Sequence, residues 1–333
     1  MARPLRIEYE GALYHLCGRG NRRERIFEDE QDCHLFLELL AESLPRYQVA
    51  LHAFVLMGNH YHLLAQTKQA NLGRWMHWLV TSYTIGFNGR HRRVGHLFQG
   101  RYKSIVVEAE GYLLSLSRYL HLNPVRGAQR GRGELKERRE RLRAWRWSSY
   151  RGYAGLAKPE AMVSEELLFG EFGARRNERR VRYRRFVEEG LLEVVRSPFE
   201  EAKWQAVLGS EDFQQRMRDR LEDLPQRRRE VKAVREVLDG GKLREKIVKL
   251  VAGKYGLTAK GVREQSGRSQ EAKGVAMTLV WDRCGMSLRE LGEYFGGLDY
   301  AAAAQQIHRT RQRAAQSRLQ KGWKQLQKNC QGI

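Results

Sequence analysis

Short apolar runs and longer amphipathic segments alternate along the first third of the chain. Apolar, β-prone runs predict strands at 14–17, 47–56, 60–66 and 103–107. Apolar positions at helical spacing predict helices over 28–44, 71–87 and 111–123. We expect Pro45 to close the first helix and Pro124 the third, while Gly58 and Asn59 turn the chain into a hairpin. This order predicts an α+β fold, with an antiparallel sheet that carries helices on one face.

The rest of the chain is charged and predominantly helical. Predicted helices at 277–284 and 287–295 are followed by Gly296-Gly297 and a third helix over 299–313. Two helices, a tight glycine turn and a further helix are the order of a helix-turn-helix domain. We therefore expect three regions, which are a first domain over 1–155, a basic helical connecting region over 156–240 and an all-α helix-turn-helix domain over 241–333.

Positive charge is the strongest feature of the composition. The 333 residues include 61 Lys and Arg against 39 Asp and Glu, which gives a net charge of +22 and a pI of about 10.1. Basic residues cluster at 130–146 and 175–185, and Trp145, Trp147 and Tyr183 lie among them. Basic patches beside aromatic rings are typical of nucleic-acid binding proteins, although a generally basic, solvated surface is the plainer alternative.

Other classes of protein fit the sequence less well. No stretch approaches the ~18 consecutive apolar residues of a membrane span. The N-terminus shows no apolar secretory segment, and the four cysteines are far apart without a C-x-x-C pair. This cysteine usage argues against a zinc ribbon or a disulfide framework and fits a reducing compartment. We expect a cytoplasmic, nucleoid-associated protein without a membrane partner.

Two histidines, His60 and His62, begin the third predicted strand. Residues i and i+2 of a strand point to the same face, about 6.5–7 Å apart. The two imidazoles can therefore converge on one metal ion, although two half-buried polar residues on a solvated sheet face would give the same pattern. A metal site needs a further ligand, and no carboxylate follows closely on this strand.

The predicted helix over 111–123 offers a phenol and an amide on one face. Tyr119 and Asn123 are four residues apart, so both side chains lie at the edge of the leucine stripe, while His121 points to the opposite side. Tyr112 lies two turns earlier on nearly the same face and is an alternative reactive tyrosine. His15, on the first strand, is more typical of a packed, hydrogen-bonded histidine than of a ligand.

Several motifs in the first 155 residues carry a resemblance to a known family. They are Y-H-L-C-G-R-G-N-R-R, V-L-M-G-N-H-Y-H-L-L, F-Q-G-R-Y-K-S, R-Y-L-H-L-N-P-V-R and W-R-W-S-S-Y-R-G-Y. In order and spacing they resemble the REP-associated tyrosine transposases of the HUH superfamily of single-strand DNA nucleases. The resemblance implies a ferredoxin-like sheet, with His60, His62 and Asn123 as metal ligands and Tyr119 as the nucleophile.

The chemistry that this resemblance implies agrees with the residue types. A bound metal polarises the scissile phosphate, and Tyr119 attacks phosphorus to leave a 5′-phosphotyrosine. Two imidazoles and an amide favour a divalent metal, Mg²⁺ or Mn²⁺, while Zn²⁺ stays open. The implied substrate is single-stranded, hairpin-forming DNA that the protein cuts, and rejoining of the strands stays open. We expect a monomer.

Polar and basic residues near these motifs are candidate DNA contacts. Arg19, Asn21 and Arg22 lie in a loop that could hold single-stranded DNA, and Arg101 and Lys103 beside the fourth strand could hold phosphates. A plain solvated loop is an equal alternative for the first group.

The segment from 266 to 313 resembles the C-terminal DNA-binding domain of the replication initiator DnaA. In that domain, the helix after the glycine turn enters the major groove of duplex DNA. Asp299 stands where an acidic base-reading residue is expected, Tyr300 replaces a histidine, and Arg309 lies further along the helix. The resemblance implies duplex DNA as a second partner, and a purely structural helical bundle is the alternative.

Two functions therefore stay open. The first is a metal-dependent single-strand DNA transposase or endonuclease. The second is a non-catalytic DNA-binding regulator derived from a transposase. The presence of His60, His62, Tyr119 and Asn123 together favours the enzyme.

Overall fold

The fold is given by a computed structural model that describes residues 6–126, 133–172, 176–192, 201–223, 234, 240–264, 270–284, 286 and 288–316. The chain forms two compact units, Arg6–Pro198 and one composed mainly of Phe199–Ile333. The first unit extends beyond residue 155, the boundary expected from the sequence. The division into three regions stays a prediction. Arg130 and Arg175, the first residues of the two basic clusters, lie outside the described ranges.

The N-terminal unit begins with the order β-α-β-β-α-β. Its elements are β1 Leu13–Arg19, α1 Glu30–Tyr47, β2 Val49–Met57, β3 His60–Thr67, α2 Leu72–Arg90 and β4 Lys103–Val107. The four strands lie in the order β2-β3-β1-β4, and β1 and β2 both pair antiparallel with β3, as β1 does with β4. This topology is ferredoxin-like, so the predicted α+β fold class is confirmed.

The two faces of the sheet carry different helices. On one face, the ring of Phe36 from α1 lies 4.9 Å from that of Tyr61 on β3 and 5.1 Å from that of Tyr83 on α2. On the other face, a third helix, α3 Ala109–His121, packs with Tyr119 beside His62. The prediction of helices on one face therefore holds for α1 and α2, and the corrected arrangement has α3 on the histidine face.

Two helix ends differ from the prediction. α1 begins at a capping box in which Asp29 and Asp32 accept each other's backbone N–H groups. It continues past Pro45 to Tyr47, because a proline in the last turn forfeits one hydrogen bond without forcing the chain out of the helix. α3 ends at His121, so Asn123 belongs to a separate 3₁₀ turn, Asn123–Val125, and not to the helix as predicted.

Further helices complete the N-terminal unit. They are α4 Leu135–Ala144, α5 Tyr150–Tyr153, α6 Glu166–Phe169 and α7 Arg176–Glu189. The W-R-W-S-S segment before α5 runs along the outer edge of β2, where Leu56 N–H donates to Trp147 O at 2.8 Å and Ser149 N–H to Phe54 O at 3.1 Å. This segment therefore covers a strand edge that would otherwise expose backbone groups.

The second unit is predominantly helical. Its elements are the short strand β5 Val207–Leu208 and the helices α8 Glu211–Glu222, α9 Gly240–Tyr255, α10 Ala259–Glu264, α11 Gln270–Arg283, α12 Leu288–Tyr294 and α13 Tyr300–Gln316. The last five helices share a core that includes Val251, Val280, Phe295 and Ile307. The helical C-terminal region is confirmed, with the predicted glycine turn between α12 and α13. Within the described ranges, no helix has the length and apolar character needed to cross a membrane.

Candidate active site

Strand register determines which side chains share the histidine face. His60 pairs with Arg19 of β1, and His62 with Cys17, which in turn pairs with Lys103 of β4. Paired residues in an antiparallel sheet point to the same side, so these five side chains form one surface. Tyr61, between the histidines, points into the opposite face. The period of two in H-Y-H thus separates the histidines from the core, as the sequence predicted.

His62 is held by a second buried histidine. It is 7% exposed, and its Nδ1 lies 2.8 Å from Nε2 of His15, whose exposure is 4%. The two rings stack with their centroids 5.0 Å apart. Burial lowers the pKa of His15 to about 3 and holds the pKa of His62 well below its ordinary value. Both rings are therefore neutral near pH 7, which is the form that binds a metal.

His60 is half-buried and bonded to its neighbour in sequence. Its Nδ1 lies 2.6 Å from Oδ1 of Asn59. Asn59 in turn donates from Nδ2 to the carbonyl of Arg23 at 3.1 Å, and its own carbonyl accepts from Gly20 N–H at 2.9 Å. The hairpin turn is thereby tied to the loop that follows β1.

Tyr119, on α3, lies beside His62. Its half-buried ring is edge-on to that of His62, with centroids 6.5 Å apart. The guanidinium carbon of Arg126 lies 4.3 Å from the centre of the Tyr119 ring. Tyr112, the alternative tyrosine, lies at the start of α3, just after Gly111 breaks the helical path at φ 82°.

Asn123 caps the C-terminal end of α3. Its Nδ2 donates to the carbonyls of Tyr119 and Leu120 at 3.0 and 3.2 Å. Because the Asn123 amide nitrogen is bonded to the helix, Oδ1 is the side-chain atom that could bind a cation. The sequence predicted a shared helical face for Asn123 and Tyr119, but the two are linked by this cap.

The position of α3 is fixed from its opposite side by His121. The ring is fully buried, with Nδ1 2.7 Å from the hydroxyl of Tyr183 and Nε2 2.9 Å from Oγ of Ser149. Ser149 Oγ also accepts from the backbone N–H of Phe54 on β2 at 3.0 Å. Burial lowers the pKa of His121 to about 3. This neutral, hydrogen-bonded imidazole connects α3 to the sheet and to α7, and it points away from Tyr119 as predicted.

Cys17 lies on the same surface without the character of a ligand. Burial raises the pKa of its thiol to about 11, although Arg19 and Lys103 oppose the shift. A thiol binds metal as thiolate, so Cys17 is a packing residue near neutral pH.

A separate group of possible ligands occurs at the start of α1. Among the described residues, Asp29, Asp32 and His91 place ligand atoms within 4.8 Å of one another. Arg90 forms ion pairs with both carboxylates, 3.0 Å from Asp29, and His91 Nε2 lies 2.9 Å from Asp32. The carboxylates also form the capping box of α1. A guanidinium already pairs with both carboxylates, so we interpret this group as structural.

The predicted DNA-contacting residues of the first unit surround the histidine face. Arg19 lies opposite His60, and Asn21 and Arg22 form part of an exposed 3₁₀ turn, Asn21–Arg23. Lys103 begins β4, Arg101 lies two residues before it, and both are exposed. Their positions are compatible with a DNA path across this face, and their roles stay predictions.

The predicted base-reading residues of the second unit lie at the start of α13. Asp299 Oδ1 accepts from Ala302 N–H at 2.7 Å, so this carboxylate is a helix N-cap. Tyr300 is half-buried, and Arg309 is exposed further along the helix. Arg311 pairs with Asp282 on α11, so the exposed Arg309 is the better candidate for a DNA phosphate.

Sequence reasoning missed Arg126 and Asn59 and gave His15 a packing role only. Arg126 was visible in the L-N-P-V-R motif, but its reach to Tyr119 depends on the turn that follows α3. The sequence pattern predicted only a turn role for Asn59. For His15, the signal in the sequence that could have indicated a further role was its position as a polar residue inside an apolar strand.

Residues 8–123 match the family model described as transposase IS200 like. No curated protein matches the sequence. A solved structure of a REP-associated tyrosine transposase bound to a REP hairpin is similar at 12% sequence identity, with a TM-score of 0.38, over 49% of this chain and 92% of that chain. The family match ends before the second unit, so the resemblance to DnaA stays a prediction. Over residues 8–123, this chain therefore matches the IS200-like transposases, which confirms the transposase resemblance carried by its motifs.

Proposed function

We propose that this protein is a metal-dependent single-strand DNA endonuclease of the transposase type, in which Tyr119 forms a 5′-phosphotyrosine with the cut strand. The observation that carries the proposal is the placement of the Tyr119 ring beside His62, on the face that also holds His60. A nucleophile and candidate metal ligands share one surface, and basic residues surround it. The family match supports a transposase role.

The donor set fits a divalent cation. His62 is neutral because it is buried, His60 is its half-buried neighbour, and Asn123 offers an amide oxygen. Imidazole with amide oxygen suits Mg²⁺, Mn²⁺ or Zn²⁺, and the small number of protein ligands leaves room for water and phosphate. A cation bound there supplies Lewis-acid activation of a non-bridging phosphate oxygen.

The protein's own residues carry out the remaining chemistry. The Tyr119 oxygen forms a bond to phosphorus as the bond from phosphorus to the 3′ oxygen breaks, and the phenol proton is transferred, in net terms, to that 3′ oxygen. Arg126 holds a positive charge over the Tyr119 ring, where negative charge develops. The 5′-phosphotyrosine keeps the phosphodiester energy, so a 3′ hydroxyl can reverse the step and join strands.

Single-stranded, hairpin-forming DNA is the proposed substrate. The exposed Arg19, Arg22, Arg101 and Lys103 supply phosphate contacts around the site.

Incubation of the full-length protein with end-labelled hairpin oligonucleotides and Mg²⁺ or Mn²⁺ tests the proposal. We expect a covalent DNA adduct on a denaturing gel that disappears with chelator and in Tyr119→Phe. Specific hairpin binding without any adduct would instead support the non-catalytic regulator.

The geometry of α12, the glycine turn and α13 favours a second function, which is binding of duplex DNA. Arg309 is exposed on α13, the helix that would enter the groove. A phosphate contact adds about −0.9 to the slope of log K against log salt. Arg309→Gln should therefore flatten that slope by about one unit on duplex DNA. Equal slopes for the variant and the wild type would make this bundle structural.

A further inference from the structure

The two candidate ligand histidines have the same hydrogen-bonding arrangement. In each ring Nδ1 meets a polar partner, which is Asn59 Oδ1 at 2.6 Å for His60 and His15 Nε2 at 2.8 Å for His62. We infer that Asn59 and His15 are positioning residues that hold both rings in the Nδ1–H tautomer, so that Nε2 of each is the ligand atom. The inference rests on the proposed ligand role of His60 and His62.

The argument for His60 follows from donors and acceptors alone. The Asn59 amide donates through Nδ2 to the carbonyl of Arg23, and a carbonyl can only accept. The same amide therefore presents Oδ1 to His60, and that oxygen also only accepts. His60 must be the donor, with its proton on Nδ1. A neutral imidazole carries one N–H, so the lone pair lies on Nε2.

The argument for His62 concerns one shared proton. Either His62 donates to His15, or His15 donates to His62. In the second case the single proton of a neutral His62 would occupy Nε2, and the ring could not bind a cation through that atom. Only donation from His62 Nδ1 into His15 Nε2 leaves a ligand atom toward the surface that Tyr119 adjoins. Metal-binding histidines ordinarily donate their other N–H to an acceptor in this way.

Asn59 also has a second task, in the loop that follows β1. Its backbone carbonyl accepts from Gly20, and its side chain binds the carbonyl of Arg23. Arg22 and Arg23 have φ values of 50° and 64°, a conformation that is uncommon for residues other than glycine. The same side chain therefore positions a ligand histidine and the basic loop. A change at Asn59 is expected to affect metal binding and DNA binding together, whereas a change at His15 affects metal binding first.

Histidine NMR on the full-length, metal-free protein tests the tautomers directly. Long-range ¹⁵N–¹H spectra distinguish a protonated from an unprotonated ring nitrogen, and the His60→Gln and His62→Gln variants assign the two rings. We expect Nδ1–H for both. An Nε2–H signal from either ring would overturn the inference for that ring, and this result needs no variant of Asn59 or His15 to fold.

Paired variants test the consequence with Mn²⁺ as the probe, by calorimetry. Loss of a partner that orients a ligand typically weakens metal binding by about 10–100-fold. We expect that loss in Asn59→Ala and His15→Phe. Asn59→Asp and His15→Gln keep an acceptor near the same position, so they should retain most of the affinity. Equal weakening in both members of a pair would overturn the positioning role, because acceptor chemistry would then be irrelevant.

The controls separate this inference from the proposed function. If wild-type protein binds Mn²⁺ no more tightly than the His60→Ala/His62→Ala double variant, both the ligand role and the inference fail. If wild-type protein binds Mn²⁺ through these histidines while the rings carry Nε2–H, only the tautomer inference fails.

Discussion

The two faces of β3 differ in chemistry although both are covered. Tyr61 and Leu63 are fully buried on one face, where the ring of Phe36 from α1 lies 4.9 Å from that of Tyr61. On the other face, His62 is nearly as buried, yet its contacts are polar, and Tyr119 and His60 beside it are half-buried. Burial alone therefore does not separate a core from a site. The core face and the site face differ in the atoms that their side chains present, which are polar on the half-exposed histidine face.

The largest expected effect comes from removing one oxygen on the histidine face. Tyr119→Phe should abolish DNA cleavage and the covalent adduct, because the hydroxyl is the proposed nucleophile, and stability should stay within about 0.5 kcal/mol, as for other substitutions at partly exposed positions. Adduct formation on a denaturing gel measures this. An adduct that persists in Tyr119→Phe and is lost in Tyr112→Phe would transfer the role to Tyr112.

Removal of an imidazole on this face should have the next largest effect. His60→Ala or His62→Ala should reduce metal-dependent cleavage by about 100-fold or more, since a ligand matters at least as much as the residue that orients it. Thermal unfolding checks that the hairpin stays folded. Cleavage by wild-type protein that continues in excess chelator would contradict the metal requirement.

The core face should respond in stability and not in chemistry. A Cβ at Gly18 would lie 2.5 Å from the Tyr61 ring, closer than packed atoms approach. Gly18→Ala should lower the free energy of unfolding by about 1–3 kcal/mol, the usual range for overpacking. Urea unfolding measures this, and cleavage per folded molecule should be unchanged. A loss of cleavage without a loss of stability would mean that the two faces are coupled through β1.

Asn123→Ala should have a smaller effect on cleavage than loss of a histidine. Water can replace an amide oxygen around a hard cation, so we expect about a tenfold loss of activity, partly recovered at high Mn²⁺. A fall as large as that of His62→Ala, with no recovery by metal, would mean that Asn123 acts through its cap of α3 and not as a ligand.

The smallest effect is expected for Tyr61→Phe, which removes a phenol oxygen on the core face as Tyr119→Phe does on the histidine face. Within the described residues, the buried hydroxyl of Tyr61 has no hydrogen-bond partner. Tyr61→Phe should leave stability unchanged or raise it by up to about 1 kcal/mol, since an unpaired buried polar group is unfavourable. Urea unfolding beside Tyr119→Phe completes the comparison. A clear destabilisation by Tyr61→Phe would reveal a partner for this hydroxyl.

The sequence predicted the sheet well because its signals are local. Alternation in H-Y-H-L-L and the Gly58-Asn59 turn depend on neighbouring residues, and β4 was predicted with its observed ends. The contacts of the site depend on distant parts of the chain. Nothing near His15 indicates that His62 will lie 2.8 Å away, and Arg126 reaches Tyr119 only because the chain turns at Asn123–Val125.

Among the predictions that failed in detail, two have a plain physical reason. Pro45 was expected to end α1, but a proline can remain in a last turn whose end is set by Gln48 in the left-handed region at φ 54°. Helices were also expected on a single face of the sheet. An amphipathic pattern shows that one side of a helix is covered, but it does not show which face of the sheet covers it.

The folding order of the N-terminal unit follows from the hairpin that carries both histidines. A hairpin with a two-residue turn can form within about 1–10 μs. His15 and Tyr119 join it only through contacts between distant parts of the chain, which form more slowly. The nascent chain would therefore display its two imidazoles long before a tyrosine stands beside them. A partly folded copy could not nick DNA, so the proposed activity appears only once the whole unit is native.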